Sequence, residues 1–374
     1  MANSLTNIVP QMLVRGLSVL RESVQMPFLV NRAYESEAAQ RGDTVTIPVP
    51  SAMQARDVVP GTVPTTAQDV TPTLVNIPLD KWRYADFTMT DKDLVEIQEG
   101  YLPLQAESAV KALANKIDKD LIGLGSQFYG AAGAVGTDVD AVKDIVECRK
   151  VLNEQLAPVD NRYIVISPAR EAEMLSIPAF HDASFGVGGE AILEGRITRR
   201  LGFGIAMDQN VMDFEAGDAA SAVLNGAATA GDETVAVDSG TGNFVVGDLV
   251  TFAGHDQTYV VTAGGAASGS TLSIQPALQA DVADGGAVTP VADHELNLAF
   301  HRDAIAFVTR PLASDPDANS LGSIVRSISD PESRLTLRLE ITRQNKQTNW
   351  SWDILYGYAV IRRECGARFL GGMA

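Results

Sequence analysis

The strongest helical pattern in the chain covers residues 103–124. Apolar side chains recur there every three to four positions and form one stripe, while Lys111, Asp118 and Lys119 lie on the opposite face. Such a stripe predicts an amphipathic helix, and at the usual rise per residue this helix is about 30 Å long. The predicted stripe consists of Ala106, Val110, Leu113, Ile117, Leu121 and Leu124.

Two shorter helices with a buried strand between them follow the long helix. Thr137 and Asp140 have the spacing of a capping box before the first helix, and Pro158 ends it. Ser167 and Pro168 have the residue types that start a helix. The order helix, strand, helix predicts an α/β layer. The predicted bounds are 138–157 for the first helix, 163–166 for the strand and 168–177 for the second helix.

The chain ahead of the long helix predicts an arm and a long hairpin. Residues 1–34 have helical spacing that stops at Pro27, and a helix this short needs a surface to lie on. Two alternating strands occur at 44–50 and 75–79, on either side of the Thr-, Pro- and Gly-rich residues 51–72, and the second runs into 81–84. We predict a protruding β-hairpin that has too little core to be stable alone and that a neighbouring subunit covers.

Short strands separated by clusters of Gly, Asp, Asn and Ser occupy roughly 213–293, which predicts a small β-barrel or sandwich. None of the 29 Lys and Arg residues falls between Leu201 and His301, whereas thirteen of the 47 Asp and Glu residues do. So sharp a change predicts a domain boundary. It also argues against DNA binding through this segment, because cations must displace the phosphate counterions. The predicted strands are 235–237, 244–252, 258–262, 271–274 and 287–291.

The end of the chain predicts a return to the main domain. Strands are expected over 296–300 and 304–309, and an antiparallel hairpin is expected to join 335–341 to 350–360 across the polar loop 344–349. The predicted organisation is an N-terminal arm (1–34), an extended β-hairpin loop and its base (35–100), a spine helix with an α/β shell domain (101–212), an inserted acidic β-barrel domain (213–293), and a return to the shell domain with the C-terminal β-hairpin (294–374).

Bulk composition narrows the class of protein. The chain has 374 residues, of which 45% are hydrophobic and 20% charged, and its net charge is −18, which fits a folded protein. No apolar run approaches the length of a membrane span, and the first residues lack the basic region of a signal peptide. We therefore expect no membrane association and assembly in a cytoplasm, where Cys148 and Cys365 remain free thiols.

Motifs with catalytic or metal-binding chemistry are weak in this sequence. Asp238-Ser239-Gly240 resembles the aspartic-protease signature, but a second copy is missing, and so is the arginine of the dimeric form. A tight turn is the better interpretation. The acidic stretches 138–140 and 315–319 lack the Gly and the acidic twelfth residue of a calcium loop, and we interpret them as helix capping and a solvated loop. We expect no catalytic residue, no cofactor and no metal site.

Three short motifs lie along this organisation: one opens the extended loop, one lies inside the insertion, and one re-enters the main domain. In their order along the chain, they and the parts that contain them resemble the α+β shell fold of tailed-bacteriophage major capsid (coat) proteins. The insertion resembles the extra β-barrel domain of the short-tailed phage subgroup. The motifs are Arg41-Gly42-Asp43-Thr44-Val45, the run from Val246 to Gly254 (VGDLVTFAG), and the run from Leu298 to Ala304 (LAFHRDA).

This resemblance implies a structural major capsid protein. Its homo-oligomers are pentamers and hexamers that close into an icosahedral head around double-stranded DNA, which they enclose without sequence-specific binding. The implied partners are a portal protein, decoration proteins and a separate scaffolding protein, since residues 1–34 are too short for a scaffolding domain of their own. Residues 51–72 contain no Lys, so we expect no isopeptide crosslink between subunits.

Three alternatives compete with the capsid interpretation. An encapsulin-like nanocompartment shell protein has the same implied fold, but such shells usually lack an acidic insertion. A β-rich adhesin conflicts with the helical part at 103–177. A protease acting through Asp238 has only one isolated motif in its favour.

Overall fold

The computed structural model describes residues 8–34, 44–50, 53, 55, 72–92, 101–181, 199–312, 323–329 and 335–370. The motif residues 41–43, most of the loop between the first two strands, and the acidic stretch 315–319 lie outside these residues. The chain divides into two units. The first comprises 1–21, 32–113 and 306–361, and the second comprises 22–31, 114–305 and 362–374.

The helices lie close to the bounds that apolar spacing predicts. The long amphipathic helix and the Ser167-capped helix are confirmed, and the Ser167 hydroxyl accepts a hydrogen bond from the Arg170 N–H at 3.3 Å. The helices are α1 (Ile8–Ser23), α2 (Met26–Leu29), α3 (Tyr101–Gly123), α4 (Val142–Glu154), α5 (Pro168–Ser176) and α6 (Pro178–His181).

The strands fall into two larger sheets, two strand pairs and one closed barrel. They are β1 (Thr44–Val49), β2 (Thr73–Pro78), β3 (Lys81–Thr90), β4 (Gly130–Ala132), β5 (Arg162–Ile166), β6 (Arg199–Arg200), β7 (Phe203–Met207), β8 (Asp213–Phe214), β9 (Ala222–Leu224), β10 (Thr234–Asp238), β11 (Leu249–Phe252), β12 (Thr258–Ala263), β13 (Gly269–Gln275), β14 (Ala287–Pro290), β15 (His294–Glu295), β16 (Asn297–His301), β17 (Ile305–Arg310), β18 (Ser323–Ser329), β19 (Thr336–Gln344), β20 (Gln347–Val360) and β21 (Gly366–Phe369).

In the first unit the long strand β20 organises a five-stranded sheet. β3 and β19 are its antiparallel neighbours, β18 pairs with β19, and β17 also pairs with β20. The indoles of Trp350 and Trp352 are buried on one face. Helix α1 packs on that face, because a Cβ atom at Gly16 would lie 3.0 Å from the Trp352 ring. The arm helix thus has the surface that its length requires.

In the second unit a six-stranded sheet has the order β4-β21-β16-β5-β7-β6. The pairs β5–β7 and β4–β21 are parallel, whereas β16 is antiparallel to both of its neighbours. All five residues of β16 are buried, because the strand is central and both of its faces are covered.

The barrel of the second unit closes in the order β10-β13-β12-β11-β14-β9. Each strand is antiparallel to both neighbours, so none of the six has a free edge. Alternate side chains fill the interior, among them Phe252, Tyr259, Leu272 and Ile274. The barrel therefore has a hydrophobic core of its own.

Two predicted boundaries are wrong for identifiable reasons, and one strand was missed. Helix α4 begins at Val142 rather than at 138, because the Asp144 carboxylate accepts a hydrogen bond from the Ala141 N–H at 3.2 Å and sets the start there. The predicted strand 244–252 is a strand only over β11, since Gly247 has φ +100° and turns the chain. The short strand β9 was not predicted, although it closes the barrel.

The C-terminal hairpin has a tighter turn than the predicted polar loop 344–349. Gln344 pairs directly with Gln347, and only Asn345 and Lys346 form the turn. Both turn residues have positive φ, at 53° and 62°, as the two-residue turn that matches strand twist requires. The hairpin itself, predicted from alternation, is confirmed.

Candidate functional site

The hairpin β1–β2 has two chemically different faces. Its inner side chains, among them Ile47 and Ile77, are buried against Ala306 and Val308 of β17. The opposite face is exposed, and Leu74 keeps 61% of its surface accessible. Among the described strands β1 pairs with β2 alone. The hairpin is thus anchored through one face and presents an apolar side chain on the other.

The outer face of the five-stranded sheet carries two exposed aromatic side chains beside a buried carboxylate. Trp82 is 57% exposed and Tyr84 67%, whereas Asp353 is only 3% exposed. Asp353 accepts hydrogen bonds from the Trp82 indole at 2.9 Å and from Nε and Nη2 of Arg338 at 2.9 and 2.5 Å. A two-point bond between arginine and carboxylate is rigid. The Trp82 indole is therefore held in a fixed position at this surface.

Contrary to the sequence prediction, Asp118 does not lie on a solvent-exposed face of the long helix. The side chain is fully buried, and its two oxygens accept hydrogen bonds from the backbone N–H groups of Gln25 and Met26 at 3.1 and 3.0 Å. Those groups begin α2, and a helix start leaves its first N–H groups without internal partners. Asp118 thus fastens the end of the arm to α3.

The environment of Asp118 favours its protonated form. Burial and the nearby carboxylate of Asp208 raise its pKa to about 8, against the opposing effect of the two backbone hydrogen bonds. Asp208 is itself 3% exposed and accepts a hydrogen bond from the Asn210 N–H at 2.8 Å. Two buried carboxyl groups at one place do not both ionise readily.

The strands β8 and β15 pair with each other and join the barrel to the rest of the second unit; we call them the neck. Glu295 of the neck accepts hydrogen bonds from the hydroxyl of Ser167 at 2.8 Å, from Nδ2 of Asn297 at 3.1 Å and from Nε of Arg170 at 3.4 Å. This half of β15 is therefore held by the residues around the start of α5.

The other half of the neck surrounds a buried arginine, Arg368 of β21. The side chain is fully buried and donates to the carbonyl oxygens of Gly125 at 3.2 Å, Gly247 at 2.6 Å and Ser126. Its guanidinium lies 5.1 Å from the centre of the Phe214 ring of β8. Burial lowers the pKa of Arg368 to about 9, and Asp248 opposes this shift. One cation thus joins the end of α3, the neck and the barrel.

His294 of β15 completes this cluster. It is fully buried, and its Nδ1–H donates to the Ala292 carbonyl at 2.8 Å. The other ring nitrogen, Nε2, lies 3.4 Å from Nη1 of Arg368. Burial lowers the pKa of His294, and the positive charge of Arg368 adds to the effect. The imidazole is therefore neutral in the fold and faces a cation with its lone pair.

The turn at Gly247 and Asp248 belongs to one of the three resemblance motifs. A Cβ atom at Gly247 would lie 3.0 Å from the Phe214 ring and 3.3 Å from the Ser126 side chain. The buried carboxylate of Asp248 accepts hydrogen bonds from the N–H groups of Gly217 at 3.0 Å and Val245 at 2.8 Å. The motif thus has a structural reason, which is close contact between barrel and neck.

Sequence reasoning missed Asp118, His294 and Arg368. Arg368 left one signal, a single charge inside the apolar strand Gly366–Phe369. Asp118 and His294 left none, because their burial depends on segments distant in sequence. The isolated Asp238 ends β10 and accepts a hydrogen bond from the Ser239 hydroxyl at 3.0 Å. Ser239 has φ +61°, so the tripeptide is a turn.

The remaining candidate residues are the two cysteines and the acidic stretch 138–140. Cys148 and Cys365 are buried free thiols, and burial raises the pKa of both. The predicted capping role of 138–140 falls instead to Asp144. Within the described residues no three His, Cys, Asp or Glu side chains are grouped as metal ligands, and no described helix is long and apolar enough to cross a bilayer.

Comparison with known proteins identifies the family. A family model described as phage capsid protein matches residues 72–265, which is more than half of the chain. A solved chain from Mycobacterium phage Che8 has 18% identity and a TM-score of 0.52, over 91% of this chain and 88% of that one. The capsid structure of the cyanophage P-SCSP1u has 12% identity and a TM-score of 0.50, over 89% and 85%. None of the curated proteins matches the chain.

The two solved structures share the α+β fold that the resemblance implied. The family match covers β2, α3, the α/β layer and much of the barrel, so it rests on both helical and barrel parts. The chain belongs to the phage capsid protein family, and it is a structural subunit of a capsid shell.

Proposed function

We propose that copies of this chain assemble as pentamers and hexamers into an icosahedral head that encloses double-stranded DNA, and that shell building is its whole task, without catalysis. The observation that carries the proposal is the two-faced hairpin β1–β2. Its inner face is anchored in the first unit, while Leu74 on the outer face has no cover within the described residues. Another subunit is the cover that suits this face, because like chains are always present in a shell.

The exposed aromatic surface at Trp82 and Tyr84 supports the same proposal. Aromatic side chains and arginine are enriched where proteins meet, and here Arg338 lies over the Trp82 ring while Asp353 holds the indole N–H. We propose that this surface and the outer face of the hairpin are the main contacts between subunits.

The charge distribution supports enclosure of DNA without sequence-specific binding. The segment 201–301 carries thirteen acidic residues and no Lys or Arg, so it repels phosphate. We propose that residues 213–293 form a separate domain on the shell domains 101–212 and 294–374, with 1–34 as an arm and 35–100 as the extended loop.

Further partners follow from assembly in a host cytoplasm. We propose that a separate scaffolding protein sets the size of the shell, that a portal protein occupies one vertex, and that decoration proteins bind the outside. The absence of Lys from 51–72 supports a shell without isopeptide crosslinks.

The test is expression of the chain with and without a candidate scaffolding protein, followed by negative-stain electron microscopy. We expect closed shells tens of nanometres across. Leu74→Asp should prevent assembly and leave a folded subunit by circular dichroism, whereas Thr73→Asp, at the neighbouring exposed position, serves as the control. A folded monomer or dimer under both conditions would contradict the proposal. Small shells around a co-purifying cargo protein, free of DNA, would favour the nanocompartment alternative.

A further inference from the structure

The barrel is connected to its unit by only two chain crossings, one in each strand of the neck. The neck has two paired positions, Asp213 with Glu295 and Phe214 with His294. Two pairs of residues are too few to fix the orientation of a barrel, because so short a ribbon is not stable by itself. Side-chain contacts must therefore fix the barrel in place, among them those around the neck and the apolar contact of Leu249 and Val260 with Leu370.

Arg368 makes several of these contacts. The guanidinium bonds to Gly125 and Ser126 after α3, bonds to Gly247 of the barrel turn, and stacks on Phe214 of the neck. These contacts lie on three segments that are far apart in sequence. Loss of this one side chain would leave buried carbonyl oxygens without donors, and each such group is costly.

His294 is the group in this cluster that can change its charge near neutral pH. Its Nδ1–H is committed to the Ala292 carbonyl, so a second proton can only go to Nε2. That atom lies 3.4 Å from Nη1 of Arg368. Protonation would place two cations side by side in a buried site, which is strongly unfavourable.

The other charged groups that face this site are the carboxylates of Asp293 and Asp248. Each of them already accepts a hydrogen bond from a backbone N–H group. Asp293 attracts a proton to His294, but its Oδ1 accepts a hydrogen bond from the Ala216 N–H at 2.7 Å. Asp248 faces Arg368 and accepts two backbone hydrogen bonds. In the described part of the chain, the charged neighbours that act on His294 itself are Arg368 and Asp293.

We propose that the Arg368–His294 contact is a pH-sensitive latch between the barrel and the α/β core, closed while His294 is neutral and opened by its protonation. Opening means that Nε2 takes a proton, the two cations separate, and the neck and the turn at Gly247 gain water. The barrel keeps its own core during opening, because its interior side chains form a separate cluster.

The sign and size of the effect follow from linkage. The pKa of His294 is lowered in the closed form, so protons bind preferentially to the open form and acid favours opening. With an ordinary histidine pKa of about 6.5 in the open form, the opening equilibrium rises up to about 30-fold between pH about 7.5 and about 5.

Hydrogen–deuterium exchange on the purified full-length protein tests the latch. Exchange is measured at both pH values and corrected for the intrinsic chemical rate. The reporters are the N–H groups of Gly217, Gly247 and Leu296, which are bonded to Asp248, Val261 and Met212 respectively. The reference is the Ile274 N–H inside the barrel, bonded to Glu233. We expect the reporters to lose protection at the lower pH while the reference keeps it.

Two variants and one control make the result specific. His294→Asn cannot take a proton and should abolish the pH response of the reporters. Arg368→Lys keeps the charge but loses the forked geometry, and it should weaken protection of the reporters at both pH values. The control is His255→Asn inside the barrel, which should leave the pH response unchanged, because His255 contacts the Tyr259 hydroxyl at 2.7 Å and not the neck.

The outcomes are decisive in both directions. Loss of the response in His294→Asn, with its retention in His255→Asn, supports the latch. A response that persists in His294→Asn overturns it. A reference amide that loses protection together with the reporters also overturns it, because the barrel then unfolds instead of opening at the neck. Unchanged protection in Arg368→Lys would also overturn it. None of these measurements depends on shell assembly, so the proposed function is tested separately.

Discussion

At the scale of single residues, two glycines of the barrel have the same backbone requirement and different surroundings. Gly247, in the turn beside the neck, has φ +100°, and a Cβ atom there would lie 3.0 Å from the Phe214 ring. Gly254 follows the end of β11 and has φ +84°, but a Cβ atom there would meet nothing within 4 Å. The first glycine therefore serves both a turn and a close contact, and the second serves a turn alone.

The two glycines give a matched pair of substitutions. Gly254→Ala should lower the free energy of unfolding by about 1 kcal/mol, because only backbone strain is added. Gly247→Ala should cost at least about 1 kcal/mol more, because the methyl group also displaces the Phe214 ring. Urea unfolding followed by fluorescence measures both. Equal losses would show that the contact at Gly247 is unimportant.

Asp118 gives a prediction about alkaline pH. Its pKa is raised to about 8 in the fold, so the folded state holds a proton that the unfolded chain has already released. The stability that this proton provides is lost as pH rises toward and through the folded pKa. Between pH about 7 and about 9 the free energy of unfolding should fall by about 1 kcal/mol from this group.

The variant Asp118→Asn separates this effect from other titrations. Asparagine stays neutral, so the part of the pH dependence that belongs to residue 118 should disappear, although the mean stability falls because one backbone N–H loses its acceptor. Denaturant unfolding at several pH values is the measurement. A variant with the same slope as the parent protein would show that Asp118 is ionised throughout this range.

At the scale of elements, we expect the two faces of the hairpin β1–β2 to have different roles. The inner face contributes to stability, and the outer face contributes to assembly. Ile77→Ala removes a fully buried side chain and should lower the free energy of unfolding by about 2–4 kcal/mol. Leu74→Ala, on the exposed face, should change it by less than about 0.5 kcal/mol. The same variant should raise the protein concentration needed for assembly about tenfold or more, since burial of a leucine contributes about 1.5–3 kcal/mol and about 1.4 kcal/mol is a factor of ten.

Two measurements decide this prediction. Thermal unfolding of the unassembled subunit gives the stability, and light scattering against protein concentration gives the assembly threshold. If Leu74→Ala assembled like the parent protein, the outer face of the hairpin would not be a subunit contact.

At the scale of the whole molecule, the net charge of −18 opposes the close approach of like subunits. Salt shortens the screening length from about 10 Å at about 0.1 M to about 3 Å at about 1 M. We therefore expect the assembled fraction at a fixed protein concentration to rise with sodium chloride over this range. Light scattering and sedimentation measure it.

A charge variant provides the matched comparison. Glu233→Gln with Asp256→Asn removes two exposed charges of the barrel without touching its core. The double variant should assemble at lower salt than the parent protein. Assembly that is independent of salt in both proteins would show that charge repulsion does not limit the process.

The parts of the fold that depend on neighbours along the chain could be predicted from the sequence alone. Helix α3, helix α5 and the C-terminal hairpin follow from apolar periods of 3.6 and 2, which a local stretch records directly. The acidic segment marked the barrel because composition changes there over a long stretch. The family resemblance followed from the order of these parts.

Which polar groups are buried and which strands meet could be seen from the folded chain but not from any local pattern in the sequence. Asp118 has the spacing of a solvent-facing residue and is buried because Gln25 and Met26 lie over it. Strand β9 has three residues, too few for a period, and it exists because β10 and β14 pair with it. Arg368 and His294 meet across 74 positions. Pairing between segments that are distant in sequence leaves no local pattern, so it becomes visible only when the chain is folded and the segments are in contact.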